Sequence, residues 1–352
     1  MKLPLKLADY DFELPEALIA QKPLATRDQS RLLVLDRKSG SIKHEVFANL
    51  PDYIPAKSLM VFNDTEVVPS KLNGHLVKSG RPIEVLLVKE LNDNHWEALI
   101  KGLAKLKPGT EMEFGNGVLK ATLEGRNDDK AVIELIYTGD LKTILNRIAK
   151  MPLPPYIKRN IKADDGLSDM DRKRYQTVFA CHPGAIAAPT AGLHFTPHTL
   201  ASLKNNGINT AYLTLHVGVG TFQPIRTENV LEHKMQAEQF HIPEDTLKAL
   251  KGAWRDAKDI LAVGSTATRV LESVDLSVPK LGGASGWTDR FIYPGQKFKV
   301  VSHMLTNFHL PKSTLYLLVC AFAGEKLIKE AYREAIQQKY RFFSYGDAML
   351  IL

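Results

Sequence analysis

The 352-residue chain contains only two cysteines, Cys181 and Cys320, and no C-x-x-C spacing. This scarcity excludes a zinc site built from cysteines and fits a protein of the reducing cytoplasm. The chain also lacks a run of about 18 uninterrupted apolar residues, which a membrane-spanning helix needs. Its first residues lack the apolar segment of a signal peptide. We therefore expect a cytoplasmic protein without a membrane contact.

Several motifs of catalysis and nucleotide binding are absent as well. The chain has no Walker A loop and no Gly-x-Ser-x-Gly elbow. Residues 217–221 contain a G-x-G but not the third glycine of a dinucleotide-binding fingerprint. His194 and His198 have the i, i+4 spacing of a zinc-binding helix, but Pro197 lies between them and the glutamate of H-E-x-x-H is missing. We therefore expect no metal site.

The composition allows one large core or two domains, because 44% of the 352 residues are hydrophobic. The net charge of +7 favours a polyanionic partner. Residues 32–35 and 59–62 are apolar runs typical of buried strands, and residues 327–336 have the spacing of an amphipathic helix. These patterns predict a mixed α/β (α+β) domain.

Residues from about 70 to 140 have a different, β-rich pattern. Their short apolar runs are separated by turn signals such as residues 115–117, and Met112 and Phe114 alternate with glutamates. Short strands at this spacing predict a small closed barrel. A lysine cluster before a turn, at Lys101, Lys105 and Lys107, fits either a phosphate contact or a solvated face.

The proline-rich residues 151–157 provide a stiff return path from an insertion. We therefore predict a discontinuous α/β catalytic domain formed by residues 1–57 and 150–352. An all-β barrel domain, residues 58–149, is predicted to be inserted in it.

Polar residues follow three of the predicted strands, where α/β proteins place their chemistry. Asn63 and Asp64 follow the first of them, and an Asx-turn is the alternative function of either residue. His216 lies on the polar face of the alternating residues 213–218 and is a candidate general base. Arg269 follows a strand that opens into residues 264–268. A helix N-terminus there suits a carboxylate or phosphate, unless Ser265 or Thr266 only caps the helix.

Eleven segments in order resemble one known family over nearly the whole chain. They are residues 9–15, 30–35, 62–65, 151–157, 175–180, 188–195, 214–222, 264–266 with Arg269, 291–295, 305–311 and 344–349. The family is the S-adenosylmethionine:tRNA ribosyltransferase-isomerases of queuosine biosynthesis. Departures from its pattern are Glu66, Gln236, Arg290 and Ser302.

The resemblance implies a reaction and its partners. The ribosyl group of S-adenosylmethionine would be transferred and isomerised onto 7-aminomethyl-7-deazaguanine in the tRNA anticodon, which gives epoxyqueuosine and releases adenine and methionine. It further implies a tRNA with a GUN anticodon, a monomeric enzyme, S-adenosylmethionine as substrate and no bound prosthetic group.

The sulfonium of this substrate acidifies the neighbouring ribose C5′ protons, so that a base is needed to remove one. The expected catalytic residues are His216, His233, Glu238 and Asp64, and Arg269 is the expected partner of the methionine carboxylate. The other residues expected to bind substrate are Asn63, Thr65, Thr190, Gly192, His194, Gly218, Gly220, Thr221, Ser265, Thr266, Asn307 and His309.

Two other classes of function compete with the transferase. A non-catalytic RNA-binding protein would need interleaved aromatic and basic residues on the barrel, which offers chiefly Trp96 and Phe114. A metal-dependent hydrolase would use the histidines as ligands. Neither alternative accounts for the Gly, Thr and His segments together.

Overall fold

The computed structural model describes residues 5–92, 94–127, 129–159, 166–218, 220, 224–278 and 282–352. The chain separates into two compact units. Unit 1, which we call the α/β unit, comprises Met1–Glu66, Pro155–Arg159 and Arg174–Leu352. Unit 2, which we call the barrel unit, comprises Val67–Pro154 and Asn160–Lys173.

The strands are β1 (Arg31–Leu35), β2 (Ile42–Val46), β3 (Leu59–Asn63), β4 (Thr65–Val67), β5 (Lys71–Leu76), β6 (Pro82–Asn92), β7 (His95–Ile100), β8 (Glu111–Phe114), β9 (Leu119–Asn127), β10 (Lys130–Tyr137), β11 (His182–Ala185), β12 (Asn209–Leu215), β13 (Glu238–Ile242), β14 (Ile260–Val263), β15 (Ala284–Thr288), β16 (His303–Asn307) and β17 (Ala348–Ile351). The α-helices are α1 (Leu141–Ile148), α2 (Leu167–Arg174), α3 (Pro197–Asn205), α4 (Glu244–Arg255), α5 (Gly264–Leu271), α6 (Thr314–Ala323) and α7 (Glu325–Gln337).

Described residues of the α/β unit form a nine-stranded sheet in the order β15-β13-β12-β3-β14-β16-β17-β1-β2. Its centre is parallel, because β12 and β14 both pair in parallel with β3, and β16 pairs in parallel with β14. Every residue of β3 is buried, which is typical of a parallel strand covered on both faces. The carboxyl ends of β3, β12, β14 and β16 therefore meet at one edge of the sheet.

Alternate residues of β3 enter two cores, one on each face of the sheet. Leu59 and Val61 belong to a core that also contains side chains of α4, α5, α6 and α7. Met60 and Phe62 belong to a second core, with Leu203 of α3. This two-residue period places helices on both faces and leaves the strand ends for polar residues.

The barrel unit contains a closed antiparallel barrel in the order β10-β7-β6-β5-β8-β9. Met112 and Phe114 point into its core, whereas Glu111 is exposed. The predicted all-β barrel is therefore observed, but Phe114 is not available for stacking because it is 1% exposed. Near the barrel strands in sequence, α1 begins with a cap in which Asp140 accepts a 2.8 Å hydrogen bond from the Thr143 N–H.

The bounds of the barrel unit differ from the predicted 58–149 at both ends. Residues 150–154 and 160–173 were predicted to lie in the catalytic domain, but they belong to the barrel unit. Residues 58–66 were predicted to lie in the insert, but they belong to the α/β unit. The reason is that β3 is a central strand of the large sheet, hydrogen-bonded to β12 and β14. Within the described residues, no helix is both long and apolar enough to span a membrane.

Candidate active site

Asn63 is the last residue of β3, and its side chain joins that strand to β12. The amide donates to the Leu215 carbonyl at 3.0 Å and accepts from the Leu215 N–H at 3.0 Å. Its oxygen also accepts from the Thr65 N–H at 3.2 Å, which is an Asx-turn. The alternative reading of Asn63 is thus confirmed: the side chain shapes the strand ends and bonds backbone groups.

Asp64 lies directly after this strand and is 6% exposed. Its carboxylate accepts a 2.7 Å hydrogen bond from the Thr214 hydroxyl, and His182 Nε2 lies 3.7 Å from the other oxygen. Burial raises the pKa of Asp64 above its usual range, and the Thr214 hydrogen bond opposes this rise. The carboxylate is therefore held in place between a strand and the exposed His182 ring.

His216 follows β12 at the same edge and is half-buried. Its Nδ1 lies 2.9 Å from the Thr65 hydroxyl, whose oxygen is also 3.4 Å from the His182 carbonyl. Because a carbonyl only accepts, the Thr65 hydroxyl donates to it, and its oxygen can then accept from an Nδ1–H. This arrangement leaves the lone pair on His216 Nε2.

The electrostatic surroundings keep the His216 ring neutral. Burial lowers the pKa of His216, the proximity of the His182 ring lowers it further, and Asp64 opposes both. Gly184 of β11 lies against the ring, because a Cβ on it would be 2.9 Å from Cε1 and Nδ1 of His216. The ring is thus a neutral base held by Thr65 on one side and a glycine on the other.

A cleft opens near the end of β12. Thr190, Ser265, Thr266, Asn307 and His309 line it together with Val217, which follows His216 in the chain. The Oγ1 atom of Thr266 and the Oδ1 atom of Asn307 are buried without a partner among the described residues. Buried polar atoms are rarely left unsatisfied, so the cleft is suited to a polar ligand.

His194 and His309 are buried histidines that are neutral at neutral pH. His194 is hydrogen-bonded on both nitrogens, to the Ser30 hydroxyl at 2.7 Å and to the Asn307 amide at 3.1 Å. His309 Nε2 lies 2.8 Å from the Thr306 hydroxyl. Burial lowers the pKa of each ring to about 3, with the charges of Arg341 and Arg27 adding to the effect at His194.

The expected roles of His194 and Gly192 in binding substrate therefore need correction. His194 is 4% exposed and both of its nitrogens are used within the protein. A Cβ on Gly192 would meet Phe179 at 2.8 Å and Thr177 at 2.9 Å. Gly192 is required for close packing, whereas His309 does line the cleft.

Arg269 does not lie where the sequence predicted it. Helix α5 begins at Gly264, so Arg269 falls in its last turn and Ser265 and Thr266 lie in its first turn without capping it. The Arg269 guanidinium forms a buried ion pair with Glu238 and donates to the Arg290 carbonyl at 3.0 Å. With its donors directed at protein groups, Arg269 is not placed to receive a substrate carboxylate.

Glu238 is the partner that ties this helix to the site. Besides Arg269, it accepts a 2.8 Å hydrogen bond from the Gly218 N–H, two residues after His216. The Cβ of Gln236, a departure from the family pattern, lies 3.1 Å from the position of a Cβ on Gly220. Thr221 lies outside the described residues. These contacts shape the loop that follows β12.

The ring contact of His233 is with Phe291 and not with the His216 cluster. Its ring packs edge-on against Phe291, with 5.1 Å between the ring centroids. Burial lowers its pKa below the usual range. No motif in the sequence marks His182, although its ring lies beside Asp64. Only the polar face of β12, where Thr214 alternates with His216, indicated this cluster. Among the described residues, no group of three or more His, Cys, Asp and Glu is arranged to hold a metal ion.

Comparison with known proteins gives consistent matches along the whole chain. Residues 7–351 match the sequence model of a family described as queuosine biosynthesis protein. The S-adenosylmethionine:tRNA ribosyltransferase-isomerase of Halothermothrix orenii is 47% identical over 349 residues, covering 99% of this chain and all of that protein. The corresponding protein of Caldanaerobacter subterraneus is 45% identical with the same coverage.

A solved structure is also similar to this chain. It is the crystal structure of the S-adenosylmethionine tRNA ribosyltransferase of Thermotoga maritima, which is 35% identical in sequence. The match covers 98% of this chain and all of that one, with a TM-score of 0.55. The similarity in sequence and the similarity in structure therefore extend over the same residues, both units included.

Proposed function

The chain belongs to the family of queuosine biosynthesis proteins and is an S-adenosylmethionine:tRNA ribosyltransferase-isomerase. We propose that the enzyme catalyses its reaction at the carboxyl edge of the large sheet. The reaction transfers and isomerises the ribosyl group of S-adenosylmethionine onto 7-aminomethyl-7-deazaguanine in tRNA. Its products are epoxyqueuosine in the tRNA, adenine and methionine.

His216 is the general base of this proposal. The observation that supports it is the hydrogen bond from its Nδ1 to Thr65, which leaves the Nε2 lone pair for the C5′ proton of the substrate. Burial keeps the ring neutral at neutral pH, as a base must be before it accepts a proton. Asp64 favours the imidazolium that forms, because its carboxylate raises the pKa of His216.

The cleft beside His216 holds the adenosine part of S-adenosylmethionine. Asn307 Oδ1 is an acceptor without a partner among the described residues, and the adenine amino group and the ribose hydroxyls are donors. Thr266 Oγ1 and Ser265, in the first turn of α5, line the same space. Thr190, in the segment after β11, also lines the cleft.

Glu238 and His233 have supporting roles in this proposal rather than the roles of acid or base. The carboxylate of Glu238 is paired with Arg269 and bonded to Gly218, so it positions the loop after His216. His233 packs on Phe291.

The finer properties of the enzyme are also part of the proposal. It acts as a cytoplasmic monomer on tRNAs with a GUN anticodon, and it needs no prosthetic group. The α/β unit is one discontinuous catalytic domain, with the barrel inserted as a second domain; the compact units of the chain support this division. Expression of residues 67–154 alone tests it, since an inserted domain unfolds cooperatively on its own.

The decisive experiment incubates the purified protein with S-adenosylmethionine and tRNA that carries the aminomethyl base. We expect nucleoside mass analysis to show epoxyqueuosine, together with released adenine and methionine in equal amounts. A parallel set of tRNAs that differ only in the first anticodon base tests the anticodon preference. Tight tRNA binding with no product from any of these tRNAs would instead support a non-catalytic RNA-binding protein.

A further inference from the structure

A second, smaller pocket on the α/β unit has an unusual concentration of positive charge. Arg27, Arg174 and Arg341 line it together with Ser30, His194 and Ser344. No aspartate or glutamate occurs among its described lining residues. Guanidinium groups with this arrangement are suited to an anion with several oxygen atoms.

Backbone carbonyls hold two of the guanidiniums in position. Arg27 donates to the Leu193 carbonyl at 2.9 Å and to the Gln176 carbonyl at 2.8 Å. Arg174 donates from Nη1 to the Ala25 carbonyl at 3.1 Å. Its Nε atom is buried without a partner among the described residues. A buried charged donor without an acceptor costs free energy unless a ligand supplies one.

Arg341 completes the pocket and has a partial counter-charge. Its Nη2 lies 3.4 Å from Asp347, and that carboxylate also accepts from the Arg341 N–H at 2.8 Å and the Arg31 N–H at 3.1 Å. One carboxylate that is shared in this way does not neutralise three guanidiniums. Burial, and secondly the nearby charge of Arg174, lower the pKa of Arg27 to about 10. The pocket is therefore electropositive and only partly hydrated.

A chain of buried hydrogen bonds connects this pocket to the substrate cleft. The Ser30 hydroxyl and His194 line the arginine pocket and are 2.7 Å apart. The other nitrogen of His194 accepts from the Asn307 amide at 3.1 Å, and Asn307 lines the cleft. The two sites are thus separated by one layer of side chains, and His194 and Asn307 fill the space between them.

We propose that Arg27, Arg174 and Arg341 bind a backbone phosphate of the tRNA substrate, beside the cleft in which the modified base reacts. The inference rests on the proposed function of the cleft. A base that enters an active site keeps its own phosphates at the entrance, so a phosphate site next to the cleft fixes the reacting nucleotide. Because His194 and Asn307 block the direct path, an S-adenosylmethionine in the cleft does not also place its carboxylate among the arginines.

Arg174→Gln is the variant that tests this site, because it removes one charge and keeps a donor for the Ala25 carbonyl. We expect the Kd for tRNA to rise by on the order of 10-fold or more. The slope of log K against log[salt] should decrease by about one phosphate contact. The KM for S-adenosylmethionine at saturating tRNA should stay within about twofold of the wild-type value, since the substituted residue contacts a tRNA phosphate and not this substrate.

Arg255→Gln is the matched control, because it removes the same charge from an exposed side chain on α4 whose ion pair, with Asp256, is a loose one at 3.7 Å. It should leave the salt slope unchanged. Arg174→Lys should recover part of the tRNA affinity, because it restores the charge without the planar fork. The melting temperature of each variant is measured alongside.

Two results would overturn the proposal. A raised KM for S-adenosylmethionine with unchanged tRNA affinity would assign the pocket to the methionine carboxylate. A lower melting temperature with an unchanged salt slope would make Arg174 a structural residue. Failure of the wild-type protein to form epoxyqueuosine would contradict the function proposed for the cleft. The tRNA-binding assay needs no turnover, so it would still test the phosphate site in that case.

Discussion

At the scale of single residues, His216 carries the largest predicted effect. We expect His216→Ala to reduce turnover by on the order of 10²–10⁴-fold, the usual contribution of a positioned acid–base group. The tRNA affinity should change little, because the ring lies at a strand end beside the cleft and does not belong to a basic surface. Single-turnover kinetics with saturating tRNA and S-adenosylmethionine measure the effect.

His198→Ala serves as the control for that experiment, since His198 is an exposed residue in the first turn of α3. It should retain wild-type turnover. If His216→Ala instead lowered the melting temperature and its folded fraction kept full turnover, the ring would be a packing residue, and another group would have to be the base.

His194 is a residue whose protonation links the fold to pH. Its folded pKa of about 3 lies far below the ordinary value of about 6.5, so the unfolded chain takes up a proton that the folded chain does not. The contribution of the neutral ring to the free energy of unfolding is fully present above the ordinary pKa. It is lost as the pH falls from that value toward the folded pKa. The expected loss is up to about 1.4 kcal/mol per pH unit for this ring.

His194→Gln tests this linkage because glutamine can hydrogen-bond to Ser30 and Asn307 but does not titrate in this range. Urea unfolding between pH 6 and pH 4 should show a pH slope that is smaller by about one proton than that of the wild-type protein. Equal slopes in the two proteins would mean that His194 is already neutral, or already charged, in both the folded and the unfolded states.

At the scale of elements, β11 limits the space available to the His216 ring. Gly184 has a φ of 150°, and a Cβ there would come within 2.9 Å of the His216 ring. We expect Gly184→Ala to displace the ring and to reduce turnover by on the order of 10- to 100-fold, as small misplacements of catalytic groups do. Binding of tRNA should be unaffected.

The matched control is Gly252→Ala on α4, where a new Cβ meets no atom of the described residues within 4 Å. An alanine in a helix is favoured over glycine by roughly 0.5–1 kcal/mol, so this variant should be more stable and fully active. Full turnover by Gly184→Ala would show that the ring has room to move, and would remove β11 from the account of the site.

The elements were predictable from the sequence where a periodic pattern decides the structure. The apolar run of β3 and the alternation of Met112 and Phe114 gave the buried strand and the barrel. The polar face of β12 led to His216. Such patterns involve residues that are close in the chain, and the strand geometry alone decides to which face each side chain points.

The sequence could not predict which side chains meet across the fold. His182 and Asp64 are distant in sequence and come together at the sheet edge. Arg269 was assigned to a free helix terminus because the start of α5 was not known to within one turn, and that shift moved it from a ligand position to a partner of Glu238. Pairing of this kind depends on tertiary contacts that leave no periodic signal.

At the scale of the whole molecule, the net charge bears on the binding of tRNA. The net charge of +7 favours a polyanion, and a backbone-dominated complex weakens with salt because bound counterions are released. The arginine pocket accounts for one contact close to the reacting nucleotide. A tRNA is much larger than that pocket, so further contacts have to come from other surfaces.

The barrel unit offers one such surface on the loop after β7. Lys101, Lys105 and Lys107 are all exposed there. Arg126 holds the loop by donating to the Leu103 carbonyl at 2.8 Å and to the Leu106 carbonyl at 2.7 Å. Because the backbone of this loop is already ordered, binding a phosphate costs little entropy apart from that of the three lysine side chains.

Reversal of all three charges, in the variant Lys101→Glu, Lys105→Glu and Lys107→Glu, should therefore weaken tRNA binding and reduce the slope of log K against log[salt] by about two to three. Titrations of labelled tRNA at several salt concentrations measure both quantities. The control reverses Lys204, Lys248 and Lys326, which are exposed on the α/β unit. It makes the same change in net charge, so it measures the long-range electrostatic effect of net charge on tRNA binding. If the two triple variants had the same slope, the barrel lysines would form a solvated face, and the tRNA would be held by other surfaces of the protein.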